Sequence, residues 1–145
     1  MNPADRALAA IALFARDPAG FGGLIIRGPS GPGRDSLMAA LKAALGKKTV
    51  LRRAPIGVDD DRLLGGLDVA ETLRTGAPAL RAGLLSEADG GVLTLASAER
   101  LTPSVAARIA AAVDQSGVVL ERDGRSAVVP TGFGFVALVE GVPAP

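Results

Sequence analysis

Between Gly23 and Ser36 the sequence GLIIRGPSGPGRDS runs from an apolar stretch through a glycine loop into a helix-like segment, the layout of a loop that holds phosphate. In the pattern GxxxxGK[ST], backbone N–H groups cradle the phosphates, a lysine reaches the β and γ phosphates and a hydroxyl holds Mg²⁺. Gly28 and Gly33 keep that spacing, but Arg34 and Asp35 stand where lysine and a hydroxyl are required. Arginine retains the charge and presents a planar fork in place of a compact ammonium. Asp35 brings a carboxylate toward a polyphosphate, a repulsion on the order of several kcal/mol at about 4 Å near a protein surface. Ser36 has a hydroxyl, yet one step along a helix turns it about 100° away. The stretch therefore reads in two ways. It is a weak nucleotide site built from Gly28, Pro29, Ser30, Gly31, Gly33, Arg34, Asp35 and Ser36, or a plain glycine turn without a ligand.

Composition narrows the chemistry further. The chain has 145 residues, no cysteine and no histidine, which removes disulfides, thiolate nucleophiles, Ser-His-Asp triads and the common zinc sites. Catalysis would fall to carboxylates, arginine, lysine or hydroxyls. With 16 basic against 15 acidic residues there is no charge excess to attract nucleic acid or a membrane surface. Tyrosine and tryptophan are absent, so stacking platforms for single-stranded nucleic acid are scarce as well. No apolar run approaches the roughly 20 residues of a membrane span. The segment MNPADRALAA lacks the pattern of a secretion signal, so a cytoplasmic location is expected.

The elements that would position the loop follow from periodicity. Asn2 and Pro3 open a helix to Ala15, Asp17-Pro18 ends it, and Gly20 to Gly23 form a loop. Leu24 to Arg27 is a short apolar run expected of a central strand covered on both faces. A helix from Arg34 to Leu45 closes at Gly46, and Thr49 to Leu51 is a second strand. Residues 55–90 read as an elaboration laid over the core, with helical pieces at Val69 to Arg74 and Leu84 to Ala88. Its run Asp59-Asp60-Asp61 is a solvated helix start or a metal site. Gly91 to Ala96 is a buried strand, and Thr102-Pro103 opens a helix to Gln115 that Gly117 stops. Two β-rich runs joined by Asp123-Gly124 have hairpin spacing, and Phe133 to Val139 is the last strand. Strands alternating with helices imply an α/β fold with a mostly parallel sheet and helices on both faces.

With these blocks in view the chain resembles the amino-terminal AAA+ module of the magnesium chelatase D subunit. The likeness covers nearly the whole chain and rests on PIGVDDDRLLGGLDVAETLRTG, on GLLSEADGGVLTLASAERL and on VVLERDGRSAVVPTGF. The chelatase's ATPase, its I subunit, is similar there, with a GLL…A-x-x-G-x-L-Y-x-D-E-V-N-L-L run and a VEREG-type hairpin. The resemblance implies a P-loop NTPase three-layer sandwich over residues 1–145, with an inserted segment and a β-hairpin before the last strand. It also implies a helical lid and later domains that this sequence lacks.

An active member has Asp-Glu at the end of the GVLTL strand, to hold Mg²⁺ and activate water. Here those positions are Ala96 and Ser97, with Glu99 two residues on. Where the active relative ends its last strand in a γ-phosphate-sensing asparagine, this chain has Glu140, an acceptor-only anion. Four altered roles in one site imply a domain without ATPase activity that holds ATP or ADP weakly if at all, and no Mg²⁺ of its own. The implied partners are the I subunit, the H subunit and other copies of the D subunit, in the complex that inserts Mg²⁺ into protoporphyrin IX. Two rivals remain: a variant ATPase using Arg34 and Glu99, and an α/β binding module unrelated to nucleotide.

Overall fold

The computed structural model describes residues 2–122 and 125–141. Helix α1 (Pro3–Arg16) starts where Asn2 accepts the Asp5 N–H at 2.8 Å, because the leading N–H groups of a helix have no partner within it. Asp17 ends α1 and at once caps a second helix, α2 (Pro18–Phe21), by accepting the Gly20 N–H at 3.1 Å. The loop expected over Gly20 to Gly23 is thus a helical turn leading straight into β1 (Gly23–Arg27). Helix α3 (Pro32–Leu45) begins two residues before the expected Arg34, since proline's missing N–H costs nothing at the first helical position. The second strand is β2 (Leu51–Ala54), not Thr49 to Leu51. Thr49 instead donates its hydroxyl to the Leu45 carbonyl at 2.7 Å, past the end of α3.

Residues 55–90 hold more regular structure than their glycine pairs suggest. Asp59 caps α4 (Asp60–Leu64) by accepting the Arg62 N–H at 2.8 Å. Asp60 pairs with Arg108 at 3.1 Å. A ribbon follows, β3 (Gly65–Leu67) antiparallel to β4 (Leu80–Ala82), with α5 (Val69–Thr75) between its strands. Glycine is required where this ribbon closes: a Cβ on Gly83 would lie 2.3 Å from the Gly65 nitrogen, and one on Gly65 2.3 Å from the Arg81 carbonyl oxygen. Helix α5 contributes no buried side chain, whereas α6 (Leu84–Glu87) returns to the core through Leu84 and Leu85.

Strand β5 (Val92–Leu95) is buried at all four positions. After a 3-10 turn at Ala98–Arg100 comes α7 (Pro103–Gln115), with Thr102 accepting the Val105 N–H at 3.2 Å. Its stop is Ser116, left-handed at φ 52°, and Gly117 already belongs to the next strand. Strands β6 (Gly117–Arg122) and β7 (Arg125–Pro130) pair antiparallel as a separate hairpin, and the expected turn Asp123-Gly124 lies outside the described residues. Strand β8 (Gly134–Val139) completes the chain's main sheet.

That sheet has the order β1-β8-β5-β2, all parallel. The crossover from β1 through α3 to β2 runs in one direction across it, and the crossover from β5 through α7 to β8 runs in the other. Right-handed connection then puts α3 and α7 on opposite faces. On one face Ile11, Phe14 and Leu41 pack against Ile26, Val136 and Leu138. On the other, Leu63, Leu85 and Ile109 pack against Leu93, Phe133 and Ala137. The result is the expected three-layer α/β sandwich. One expectation differs: among the described residues β1 lies at one end of the strand order and not within it, and Ile25 is 61% exposed. An apolar run signals burial on average and cannot report how many neighbours a strand has. Among the described residues no helix is long and apolar enough to cross a membrane.

Candidate functional site

The carboxyl ends of parallel strands are where open α/β sheets bind ligands, and here they gather the sequence-predicted residues. Gly28 leaves β1 and donates its N–H to the Val139 carbonyl of β8 at 2.8 Å. Gly31, at φ 149° and ψ −171°, adopts a backbone conformation restricted to glycine and opens α3 without a side-chain cap. Pro29 and Pro32 have no N–H to offer. The Gly31 carbonyl accepts the Asp35 N–H at 3.0 Å, so the first-turn donors of Gly33 and Arg34 are those without an intrahelical partner.

A cavity of about 660 Å³ lies over this loop, between the start of α3 and the first two turns of α1. Pro3, Ala4, Ala7 and Leu8 form an apolar wall, and Gly28, Pro29, Ser30, Gly31, Gly33 and Arg34 form the facing one. Arg34 is partly buried and bends back to donate from Nη2 to Ser30 Oγ at 2.9 Å. Ser36 lines the cavity, although its offset of one helical step from Asp35 had suggested that it turns away. Asp35 is exposed and does not line it. The charged residues of the lining are Arg27 and Arg34, with no carboxylate.

Two further strand ends, those of β5 and β8, lie at the same end of the sheet as the loop. Leu95 pairs with Ala137, so Ala96 and Ser97 follow β5 at the same edge of the sheet as Gly28. Ala96 is 6% exposed and donates its N–H to the Ala54 carbonyl at 3.3 Å. Ser97 sits in the left-handed region at φ 47°, an uncommon conformation for a residue with a side chain. Glu99 and Glu140 do not line the cavity.

These residues fit a small anion with an apolar appendage: two arginines and the first-turn N–H groups of α3 share the lining with an aliphatic wall. They do not fit a divalent cation held by protein oxygens, because the lining has no carboxylate and the described residues contain no group of three or more acidic ligands. Among the described residues the buried hydroxyl without a hydrogen-bond partner is Thr94 Oγ1, which lies outside the cavity wall and marks no ligand there. A second cavity, of about 710 Å³, borders α4 and the β3–β4 ribbon. Part of its charged lining is engaged inside the protein, since Asp59 caps α4 and Arg62 pairs with Glu87 at 3.5 Å.

Sequence reading missed a cluster at the opposite end of the sheet, where the hairpin joins β8. The Thr131 hydroxyl, 1% exposed, donates to the Ala112 carbonyl at 3.0 Å, and the Thr131 N–H to the Ser116 carbonyl at 3.0 Å. Asp89 Oδ1 accepts the Gly132 N–H at 2.6 Å, while the Gly132 carbonyl accepts the Gly90 N–H at 2.8 Å. A threonine and an aspartate in turn-like stretches gave no periodic signal that could have found them.

No protein-family model matches the chain. It is 46% identical over 110 residues to the magnesium-chelatase 60 kDa subunit of Rhodobacter capsulatus, an overlap that covers 76% of this chain and 19% of that protein. To the magnesium-chelatase 67 kDa subunit of Chlorobaculum parvum it is 36% identical over 132 residues, covering 91% and 21%. The chain thus spans about a fifth of the length of these relatives. Among solved structures it matches, with a TM-score of 0.71 and 26% identity, a chain of a complex between subunits BchI and BchD of magnesium chelatase based on a single-particle cryo-EM reconstruction at 7.5 Å. That match covers 92% of this chain and 51% of the other.

Proposed function

This chain is homologous to part of the magnesium-chelatase 60 and 67 kDa subunits, and from that kinship we propose that it is a non-hydrolysing AAA+ platform of a chelatase D subunit. It assembles in the cytoplasm with the ATPase I subunit into stacked rings, for ATP-dependent insertion of Mg²⁺ into protoporphyrin IX on the route to chlorophyll or bacteriochlorophyll. The observation that carries this reading is the end of β5. Where hydrolysis needs a metal-holding and a water-activating carboxylate, β5 is followed by a buried Ala96 and a left-handed Ser97, and the described lining of the loop cavity, one strand away across β8, has no acidic residue. Turnover therefore belongs to the partner, and this chain contributes surfaces, its inserted segment and its hairpin, that dock on the I subunit. The cavity at the loop holds ATP or ADP weakly, through the Gly33 and Arg34 N–H groups and the Arg34 guanidinium.

The test is ATP turnover by the purified chain, which is expected to remain at buffer background. Turnover that Arg34→Ala abolishes would overturn the proposal in favour of a variant ATPase. Titration of ADP against the same protein separates binding from hydrolysis: Arg34→Ala is expected to weaken binding about tenfold, the worth of one charge-assisted contact. Binding that appears only when the I subunit is added would put the working nucleotide site between the two proteins.

A further inference from the structure

Among the described residues the β6–β7 hairpin forms its own two-stranded sheet and shares no ladder with the main one. Its direction is set at its two feet and by Val118, which packs against the core on the α7 side. The first foot is Ser116-Gly117, entered through a left-handed serine. The second is Thr131-Gly132, tied to the first by the Thr131 N–H on the Ser116 carbonyl and to α7 by its buried hydroxyl. Those bonds join the feet to each other and to α7. The pair between Gly132 and residues 89–90 joins the second foot to the turn that feeds β5.

We propose that Asp89 is a positioning residue: its carboxylate sets the angle at which the hairpin leaves the body, and so the surface the hairpin offers to a partner AAA+ protein. The inference rests on the reading that this hairpin docks on the I subunit. Two bonds at one residue act as a clamp. Gly132 donates to Asp89 Oδ1 at 2.6 Å and accepts from Gly90 at 2.8 Å, so neither peptide plane flanking it turns freely. Remove the carboxylate and Gly132 keeps one of its two bonds to residues 89–90, so the second foot can turn relative to the body within the limits set by Thr131 and Val118. The donor is a neutral amide and the acceptor an anion, which makes this the stronger bond of the two. Asp89 and Gly132 are 43 residues apart, so the clamp forms only in the folded chain.

The experiment compares Asp89→Ala, Asp89→Asn and Val128→Asp in the full chain, reading amide exchange, thermal melting and association with the I subunit. Val128 is 72% exposed on the hairpin, so its replacement tests the docking surface without opening the core. With Asp89→Ala, exchange at the Gly132 amide is expected to rise about tenfold or more while β5 and β8 stay protected. Association should weaken by about tenfold, the equivalent of one such bond. Asp89→Asn, whose amide oxygen still accepts, should recover most of that loss. Normal association of Asp89→Ala beside a weakened Val128→Asp would overturn the role of Asp89 and leave hairpin docking standing. Normal association of both would remove the docking reading and this inference with it. A lowered melting point with exposure of the whole sheet, not recovered by asparagine, would make Asp89 a general stability residue and overturn its positioning role.

Discussion

Strand β8 joins two ends of the molecule that are built differently. At its carboxyl end Val139 tethers the glycine loop through the Gly28 N–H, and the loop's other contacts are exposed ones such as Arg34 to Ser30. At its amino end, Thr131, Gly132 and Phe133 are held by a buried hydroxyl, a carboxylate clamp and an aromatic ring 1% exposed. The loop end has the outline of a phosphate site, with two arginines and no carboxylate in its described lining. The hairpin end is held from three directions. The foot of the arm thus has a buried tie, Thr131 to Ala112, where the loop's side-chain bond from Arg34 to Ser30 is exposed.

Substitutions at the two ends can break or sharpen that contrast. Phe133→Ala is expected to have the largest effect, a loss of about 3–5 kcal/mol for emptying a fully buried aromatic site, read in chemical unfolding. Thr131→Val keeps the shape but leaves the Ala112 carbonyl without its hydroxyl donor, a loss of about 1–3 kcal/mol in the same assay. At the loop end, Gly33→Ala should do the reverse. It sits in the first turn of α3 with nothing within 4 Å of the added methyl, so stability should rise by about 0.4–1 kcal/mol. Arg34→Ala, which removes one exposed hydrogen bond, should leave the melting curve within about 0.5 kcal/mol of the parent whatever it does to ADP binding. Destabilisation by Arg34→Ala as large as by Thr131→Val would erase the contrast.

Much of the sandwich was legible because it follows from local rules. Asn2, Asp59 and Thr102 announce helix starts by chemistry that needs no tertiary context, and Val92 to Leu95 announces a buried strand by being apolar throughout but for one threonine. What failed was context. Leu24 to Ile26 has the apolar signature of a central strand, yet strand order is decided by distant partners, and among the described residues β1 pairs with β8 alone. Arg52 and Arg53 hid the end of β2, since an edge strand tolerates outward charge. At the candidate site the loop was visible from its glycines, and Ala96 and Ser97 fell at the strand end that the family pattern assigns them. The clamp at Asp89 was invisible because its two halves are 43 residues apart and neither resembles a motif.

The ribbon of β3 and β4 has a consequence for how this chain tolerates change. Beyond its glycine crossing at Gly65 and Gly83, residues 68–79 are secured by their own short-range contacts: Asp68 caps α5, the Thr72 hydroxyl accepts the Ala79 N–H, and Glu71 binds Arg74 and raises its guanidinium pKa. Nothing in that helix reaches the interior, and Val69 and Leu73 face solvent. The tip is therefore a cassette on a fixed mount. It can be shortened, lengthened or exchanged for another sequence at little cost to the sandwich, provided the two glycines that let the backbones cross are left in place.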